Sequence, residues 1–174
     1  MTPCRILLVE DDPAAAELVS RKVGSAGHSV DVSDSAEKAL ARWKPGSHDV
    51  LLVDCKLPQM NGIEFIRRIR KIDECVGVII LTGSVTEAIE DACEGLGVWA
   101  IVSKAASSEV FDEKIANACE LATMPESKKD FITAAIDHET GRMREHRHTL
   151  GVDTRRVGPE EMKTLMKKYS RVDG

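Results

Sequence analysis

The pattern of apolar and polar positions divides the first 120 residues into short aliphatic runs and longer stretches in which apolar residues recur every three or four positions. A short aliphatic run bounded by turn formers is typical of a strand covered on both faces, and the longer pattern is typical of an amphipathic helix. Strands that alternate with helices in this way form a parallel sheet with right-handed crossovers. The pattern predicts strands over residues 5–10, 28–33, 49–54, 76–82 and 98–103, and helices near 13–26, 35–43, 61–73, 86–95 and 107–121.

The alternation stops beyond Glu120, so the rest of the chain is predicted to be a separate part. A helix is predicted near 126–147, and a shorter one follows Pro159. We therefore divide the chain into an α/β domain over residues 1–122 and a helical extension over residues 123–174, with a role in interaction or dimerisation. The shorter helix carries an apolar stripe formed by Met162, Leu165, Met166 and Tyr169.

Composition excludes several classes of protein. Hydrophobic residues make up 43% of the 174-residue chain and charged residues 30%, which is ordinary for a globular protein with its own core. No apolar run reaches the length of a membrane span, and the N-terminus has no basic region followed by a long apolar one. We therefore expect a cytoplasmic protein without a membrane partner. Five cysteines form no CxxC pair and are expected to be reduced, in or near the core, rather than to form a structural zinc site or a disulfide: Cys4, Cys55, Cys75, Cys93 and Cys119.

The net charge of -5 is unevenly distributed. Residues 1–124 carry 13 Lys and Arg against 20 Asp and Glu, whereas residues 125–174 carry 11 against 9. An acidic body followed by a mildly basic tail predicts two parts with different roles.

Polar and charged residues follow the ends of four predicted strands. The carboxyl ends of parallel strands meet at one edge of a sheet, where open α/β sheets bind ligands. Closely spaced carboxylates repel each other, so they need a cation, which a lysine and a hard divalent ion such as Mg²⁺ can supply. Such a pocket fits phosphoryl transfer to a carboxylate. The residues are Glu10, Asp11 and Asp12 after the first strand, Asp54 after the third, Thr82 after the fourth, and Ser103 and Lys104 after the fifth.

The segment from about residue 4 to 121 resembles the receiver domain of two-component response regulators, the CheY-like family. The matching motifs are ILLVEDD, LLVDCKLPQMNG, IILTGS and IVSKA, in the family's order and spacing. The resemblance implies a doubly wound, flavodoxin-like α/β fold with five parallel strands in the order 2-1-3-4-5. It also implies a phosphoacceptor signalling protein rather than an enzyme, one that at most catalyses its own phosphorylation from small donors and its own dephosphorylation.

The resemblance assigns roles to individual residues. It implies that Asp54 accepts a phosphoryl group from a histidine kinase or a phosphotransfer protein. Thr82 matches the hydroxyl that contacts the phosphoryl group, and Lys104 matches the lysine that forms an ion pair with its oxygens. Output is then expected through contacts with a downstream protein partner or within a homodimer. The Mg²⁺ ligands that the resemblance implies are Glu10, Asp11, Asp54 and the backbone carbonyl of Lys56.

Two positions depart from the family pattern. Ala105 follows Lys104 where the family usually has a proline, so the Lys104 loop is expected to be built differently. Ile101 occupies a position at which many members have a Tyr or Phe that swings inward on activation. Strand alternation places Trp99 on the same face as Ile101, which makes it a candidate substitute for that aromatic residue. These departures leave open a degenerate receiver that acts as a phosphorylation-independent binding module.

The C-terminal extension leaves several functions open. Its basic residues could contact DNA phosphates, which would make the chain a transcriptional regulator. Glu160 and Glu161 oppose this function, because they lie in the shorter helix that would have to bind the DNA. His138 is a candidate phosphorylatable histidine, and together with His146 and His148 it is a candidate metal site of irregular spacing. We favour an extension that docks on the domain, on a second copy or on a partner protein through its apolar stripe.

Overall fold

The computed structural model describes residues 3–123. The chain divides into two units, residues 1–123 and 124–174, and the described residues make up almost all of the first. The predicted helical extension, its apolar stripe and any role for His138 therefore lie outside the described residues. Within the described range, no helix combines the length and the apolar character needed to cross a membrane.

Strands and helices alternate along the described residues, as the sequence pattern predicts. The elements are β1 (Arg5–Val9), α1 (Pro13–Ser25), β2 (Ser29–Ser33), α2 (Ala36–Arg42), β3 (Val50–Asp54), α3 (Gly62–Arg70), β4 (Gly77–Thr82), α4 (Glu87–Cys93), β5 (Ala100–Ser103) and α5 (Ser108–Thr123). Their ends differ from the predicted ends by at most three residues. The five strands are parallel and lie in the order β2-β1-β3-β4-β5, so the predicted flavodoxin-like topology is confirmed.

Burial differs between the inner and outer strands of the sheet. β3 and β4 are buried along their whole length, because helices cover both of their faces. β2 lies at the edge of the sheet, and among its residues only Ser33 is buried. An edge strand with exposed positions needs fewer apolar residues, which explains why its sequence is the least aliphatic of the five.

Alternate residues of each strand point into two separate apolar layers. On one face, Leu51 and Val53 of β3 pack in a layer that also contains Phe65 of α3 and residues of α2 and α4. On the other face, Val50 and Leu52 pack in a layer that contains residues of α1 and α5. The sheet therefore lies between two layers of helices. Loops join it at the amino ends of its strands, which we call the amino edge, and at their carboxyl ends, which we call the carboxyl edge.

Helix starts are fixed by side chains that accept hydrogen bonds from otherwise unpaired backbone N–H groups. Asp12 caps α1, where its Oδ1 accepts from the second and third helical residues at 2.8 and 3.2 Å. Ser35 and Asn61 cap α2 and α3 in the same way. Thr86, which precedes α4, makes no side-chain cap. The start of α4 is therefore less firmly held than those of the three preceding helices.

Arg70, the last residue of α3, joins two loops at the amino edge of the sheet. Its guanidinium donates to the carbonyl oxygens of Leu96 and Gly97 between α4 and β5, at 2.7 and 3.0 Å. It also donates to the carbonyl oxygen of Val76, just before β4, at 2.8 Å. Burial lowers the pKa of Arg70 below its usual value, although nearby acids oppose this effect. The guanidinium thus holds these loops through backbone carbonyls.

Trp99 does not lie on the face predicted for it. It packs against the layer of α1 and α5, whereas Ile101 lies in the layer of α2, α3 and α4. β5 begins only at Ala100, so strand alternation does not extend to Trp99. The indole occupies space beside Gly77, where an added Cβ would come within 2.3 Å of the ring. The prediction is wrong for these two reasons, and Trp99 does not substitute for an aromatic residue at position 101.

We expect Arg70→Met to lower the free energy of unfolding by about 2 to 4 kcal/mol, because several loop carbonyls lose a charged donor. Denaturant unfolding followed by circular dichroism measures this change. Arg67, which is exposed on the same helix, supplies the matched control. Arg67→Met should change stability by less than about 0.5 kcal/mol, and equal effects of the two substitutions would contradict the role given to Arg70.

Candidate functional site

An ion-pair cluster lies at the carboxyl edge of the sheet. The Lys104 ammonium donates to both carboxylate oxygens of Glu10, at 2.7 and 3.0 Å, and to Oδ2 of Asp54 at 2.8 Å. Glu10 and Asp54 are only 2% and 5% exposed. A lysine is therefore shared by two acids that water reaches poorly. We call Glu10, Asp54 and Lys104 the carboxyl-edge cluster.

The strand register brings this cluster together. β1 and β3 are neighbours, paired in register up to the residues just before Glu10 and Asp54, so these two acids emerge side by side. Lys104 follows β5, which lies two strands beyond β3. Its backbone N–H donates to the carbonyl oxygen of Thr82 at 2.6 Å, which ties the loop after β5 to the end of β4. The predicted convergence of these strand ends is therefore present.

Asp11 joins Glu10 and Asp54 in a group of three carboxylates. One oxygen from each lies within 4.8 Å of the other two, and Asp11 is the exposed member. Hard oxygen donors at this spacing fit a hard divalent cation such as Mg²⁺ better than a soft metal ion. Asp12 instead caps α1. The backbone N–H of Lys56 donates to Asp54 Oδ1 at 3.1 Å, and the role expected of its carbonyl stays a prediction.

Burial and neighbouring charges act together on the cluster. Burial raises the pKa of Glu10 above its usual value; the hydrogen bond from Lys104 opposes this rise, and the charge of Asp54 adds to it. Burial alone would lower the pKa of Lys104, but its hydrogen bonds and charge interactions with Asp54 and Glu10 outweigh burial and raise this pKa. Lys104 therefore remains an ammonium at neutral pH, and its charge is permanently available to the edge of the sheet.

Thr82 ends β4 at the same edge and is buried. Its Oγ1 donates to the carbonyl oxygen of Ser84 at 2.9 Å. The hydroxyl is thus bound to the loop between β4 and α4, while the Thr82 carbonyl accepts from the Lys104 N–H. Thr82 lies where the sequence predicts it, and its hydroxyl links the edge of the sheet to the β4–α4 loop.

Ser103 has a role that the sequence analysis missed. Its Oγ accepts from the Ala105 N–H at 3.2 Å, and its carbonyl accepts from the Ala106 N–H at 2.9 Å. A proline at position 105 would have no N–H to donate, so the departure from the family pattern supplies a hydrogen bond that fixes the Lys104 loop. No peptide bond between described residues is cis. The sequence signal for this contact was the pair of Ser103 and Ala105, a hydroxyl acceptor two residues before a residue that keeps its backbone N–H.

Gly62 is the second residue whose role was missed. It begins α3, and a Cβ at this position would lie 2.1 Å from the carbonyl oxygen of Asp54. Its N–H donates to the carbonyl oxygen of Cys55 at 3.2 Å. Glycine therefore lets α3 start directly against the backbone of the strand that carries Asp54. The Asn-Gly pair in LPQMNG was the signal that could have indicated this approach.

Comparison with known proteins identifies the family. A family model for the response regulator receiver domain matches residues 6–116, which is well over half of the chain. The chain belongs to the response regulator receiver family. Receiver domains are parts of two-component systems and are signalling proteins rather than classical enzymes. Membership also implies interaction with histidine kinases or phosphotransfer proteins, and receiver domains generally depend on Mg²⁺.

Curated relatives of this receiver domain include two bacterial transcriptional regulatory proteins. TrcR of Mycobacterium tuberculosis is 34% identical over 95 residues, which cover 55% of this chain and 36% of TrcR. GlrR of Escherichia coli is 29% identical over 120 residues, which cover 68% of this chain and 27% of GlrR. The chain thus spans about a third of the length of these relatives.

Solved receiver structures share the fold. The CheY-like receiver domain protein of Methanospirillum hungatei superposes with a TM-score of 0.64 at 25% identity, over 70% of this chain and 97% of that one. The chemotaxis protein CheY4 of Vibrio cholerae gives a TM-score of 0.62 at 21% identity, over 67% and 99% of the two chains. These comparisons establish the fold of the receiver domain.

We expect Lys104→Met to lower the free energy of unfolding by about 2 kcal/mol in metal-free buffer, because two buried carboxylates lose their shared cation. The loss is not larger because the Lys104 side chain is partly exposed to solvent, which weakens its ion pairs. Glu10→Gln in the same background should restore part of the loss, since it removes one of the two like charges. Chemical denaturation of the four proteins in this double-mutant cycle measures the coupling. Lys56→Met, at an exposed neighbouring lysine, is the control. Strict additivity would contradict the energetic coupling of Lys104 and Glu10.

Proposed function

We propose that this receiver domain is switched by transfer of a phosphoryl group to Asp54, with Mg²⁺ bound by the neighbouring acids. The observation that carries the proposal is the convergence of Asp54, the Lys104 ammonium and two further acids at one edge of the sheet. Phosphoryl transfer depends mainly on positioning and on neutralising negative charge, and this group of residues offers both.

Asp54 is the nucleophile in the proposed reaction. One of its oxygens forms the new O–P bond as the N–P bond of a phosphohistidine breaks, and the histidine nitrogen keeps the electron pair of that bond. The donor is a histidine kinase or a phosphotransfer protein. Lys104 contacts Oδ2 at 2.8 Å and the Lys56 N–H contacts Oδ1 at 3.1 Å, so both carboxylate oxygens are oriented before attack.

Glu10, Asp11 and Asp54 would hold the Mg²⁺, with the backbone carbonyl of Lys56 as a further ligand. The bound ion supplies positive charge that neutralises phosphoryl oxygens. Glu10 has a second task in the chain itself, because its two oxygens position the Lys104 ammonium beside Asp54. The same arrangement supports phosphorylation of the domain by a small donor such as acetyl phosphate, without a kinase.

The switch follows from the new charge at Asp54. A phosphoryl group brings oxygens that accept hydrogen bonds more strongly than a neutral carbonyl does. The Thr82 hydroxyl donates a hydrogen bond to the Ser84 carbonyl in the unphosphorylated domain. After phosphorylation it donates to a phosphoryl oxygen instead, while the Lys104 ammonium continues to neutralise the negative charge at this edge of the sheet. Release of Ser84 then changes the position of the β4–α4 loop, and the two arrangements form a two-state equilibrium.

α4 is the element that responds to this loop. It has only seven residues and no side-chain cap at Thr86, and Gly95 and Gly97 with positive φ follow it. Its far end is held because Arg70 binds the carbonyls of the α4–β5 loop. Since position 101 is a buried isoleucine, the movement is read from the loop and the helix rather than from a rotating aromatic ring.

The proposed output is a contact with a downstream protein partner or a second copy of the chain. Residues 124–174 are the segment proposed to make this contact, through the apolar stripe identified in the sequence. The relatives TrcR and GlrR are named as transcriptional regulatory proteins, so DNA binding is the alternative output. The basic residues of the extension would carry that alternative, and a measurement of DNA retention separates the two.

Wild-type protein incubated with Mg²⁺ and acetyl phosphate should gain the mass of one phosphoryl group, whereas Asp54→Asn should gain none because an amide is a poor nucleophile. Intact-mass spectrometry measures both. Asp12→Asn is the matched control, since Asp12 caps α1 instead of joining the three carboxylates, and this variant should still be modified. If wild type gains no mass under conditions that modify another receiver, the phosphoacceptor proposal fails and a phosphorylation-independent binding module takes its place.

Phosphorylated wild-type protein should elute earlier from a size-exclusion column, or bind its partner more tightly, than the untreated protein. Thr82→Ala should still accept the phosphoryl group but lose this response, because the loop no longer exchanges a hydrogen bond. Salt-sensitive retention on duplex DNA would instead support the transcriptional alternative. A full response in Thr82→Ala would contradict the proposed route through the β4–α4 loop.

A further inference from the structure

Two cysteines and a histidine meet at the amino edge of the sheet, opposite the carboxyl-edge cluster. Cys4 precedes β1, His28 precedes β2, and Cys119 lies near the end of α5. One ligand atom from each lies within 4.8 Å of the other two. The three residues are 1%, 6% and 3% exposed, respectively. Soft donors from three separate parts of the chain thus converge in a place that the proposed phosphoryl transfer does not use.

A hydrogen bond fixes the tautomer of His28. The backbone N–H of Cys4 donates to His28 Nδ1 at 3.2 Å, so this nitrogen carries a lone pair and the neutral ring holds its proton on Nε2. A neutral imidazole is the form that binds a metal ion.

The Cys4 thiol is also tied to the backbone of α5. The Cys4 thiol contacts the carbonyl oxygen of Cys119 at 3.5 Å. A buried thiol needs a positive charge close by before it loses its proton, and a bound dication supplies such a charge.

We propose that Cys4, His28 and Cys119 bind a Zn²⁺ ion. On binding, both thiols release their protons to solvent, and His28 contributes the Nδ1 lone pair that now accepts the Cys4 N–H. Two thiolates, a neutral imidazole and a dication make an uncharged centre, which suits a buried position better than an isolated charge does. Two sulfur donors and one nitrogen donor select Zn²⁺ over Mg²⁺, and a water completes the tetrahedral shell.

The consequence of this site is a cross-link within the receiver domain. The ion would join the start of β1, the start of β2 and the end of α5. His28 lies 24 residues after Cys4 in the chain, and Cys119 lies 115 residues after it. Cys119 lies four residues before the boundary between the two units of the chain, at Thr123. Zinc would therefore fix the helix that leads out of the receiver domain.

Cobalt is the probe, because thiolate-bound Co²⁺ has an intense near-ultraviolet charge-transfer band and tetrahedral Co²⁺ absorbs strongly in the visible. The full-length chain is refolded under reducing conditions with Co²⁺ and an excess of Mg²⁺, which is added to compete for the acidic group. We expect one equivalent of Co²⁺ with both absorptions, and Zn²⁺ should displace it. Any Co²⁺ bound by histidines of the extension would lack a thiolate band, so it would not imitate this result.

Variants assign the band to the proposed ligands. Cys4→Ala and Cys119→Ala should each weaken Co²⁺ binding by more than about 100-fold, and His28→Gln by at least about tenfold. Cys93→Ala, at an equally buried thiol in the other apolar layer, should keep the band. So should Cys75→Ala, because Cys75 is exposed and the prediction that it lies in or near the core is wrong.

Three outcomes would overturn the proposal. The first is a wild-type protein that takes up no Co²⁺ with a thiolate band. The second is a band that survives in Cys119→Ala or disappears in Cys75→Ala. The third is a disulfide between Cys4 and Cys119 under the same conditions, seen as an intact mass lower by two hydrogens in wild type but not in Cys119→Ala. Because the wild-type titration and the mass are measured on native sequence, the test holds even if Cys4→Ala does not fold.

Discussion

The position of one ammonium group, that of Lys104, determines how the carboxyl edge of this sheet can be built. Glu10 and Asp54 follow neighbouring strands, so the register of the sheet itself forces two buried acids together. Their repulsion and poor hydration would oppose the pairing of β1 with β3 if no cation were near. Lys104 offsets both effects, because it contacts the two acids at 3.0 Å or less. The contact that allows strands to end on acids also orients those acids for chemistry, so fold and site are not separable here.

The contacts around the cluster are of two kinds: those that hold the loops at the two ends of β5, and one hydrogen bond, from Thr82, that can be exchanged. Arg70 binds loop carbonyls at the amino edge, and Ser103 binds N–H groups of the Lys104 loop, so both ends of β5 are held. The Thr82 hydroxyl differs, because its partner is a single neutral carbonyl in the β4–α4 loop. A charged oxygen competes well with a neutral one for such a donor. In the proposed switch, new charge at Asp54 would therefore act on the β4–α4 loop, while the contacts that hold the two ends of β5 would stay in place.

The sheet could be predicted from the sequence because β3 and β4 are buried on both faces, which leaves an uninterrupted aliphatic run. The members of the site could be predicted because parallel topology puts the residues after each strand at one edge. The face of Trp99 could not, since alternation holds only inside a regular strand and Gly77 left room for the ring. The roles of Arg70 and Ser103 could not either, because their partners are backbone groups that no side-chain pattern records.

The two ends of β1 carry opposite donor chemistry. Glu10 at its carboxyl end faces oxygen ligands, and Cys4 at its amino end faces sulfur and nitrogen, about 20 Å away along an extended chain. Mg²⁺ prefers the oxygen donors, whereas Zn²⁺ prefers the sulfur and nitrogen donors. The two proposed ions would therefore not compete for one site. The soft site lies among β1, β2 and α5, whereas the proposed switch acts through Thr82 on the β4–α4 loop. Zinc would therefore stabilise the receiver domain in both states of the switch and leave the equilibrium between them to the phosphoryl group.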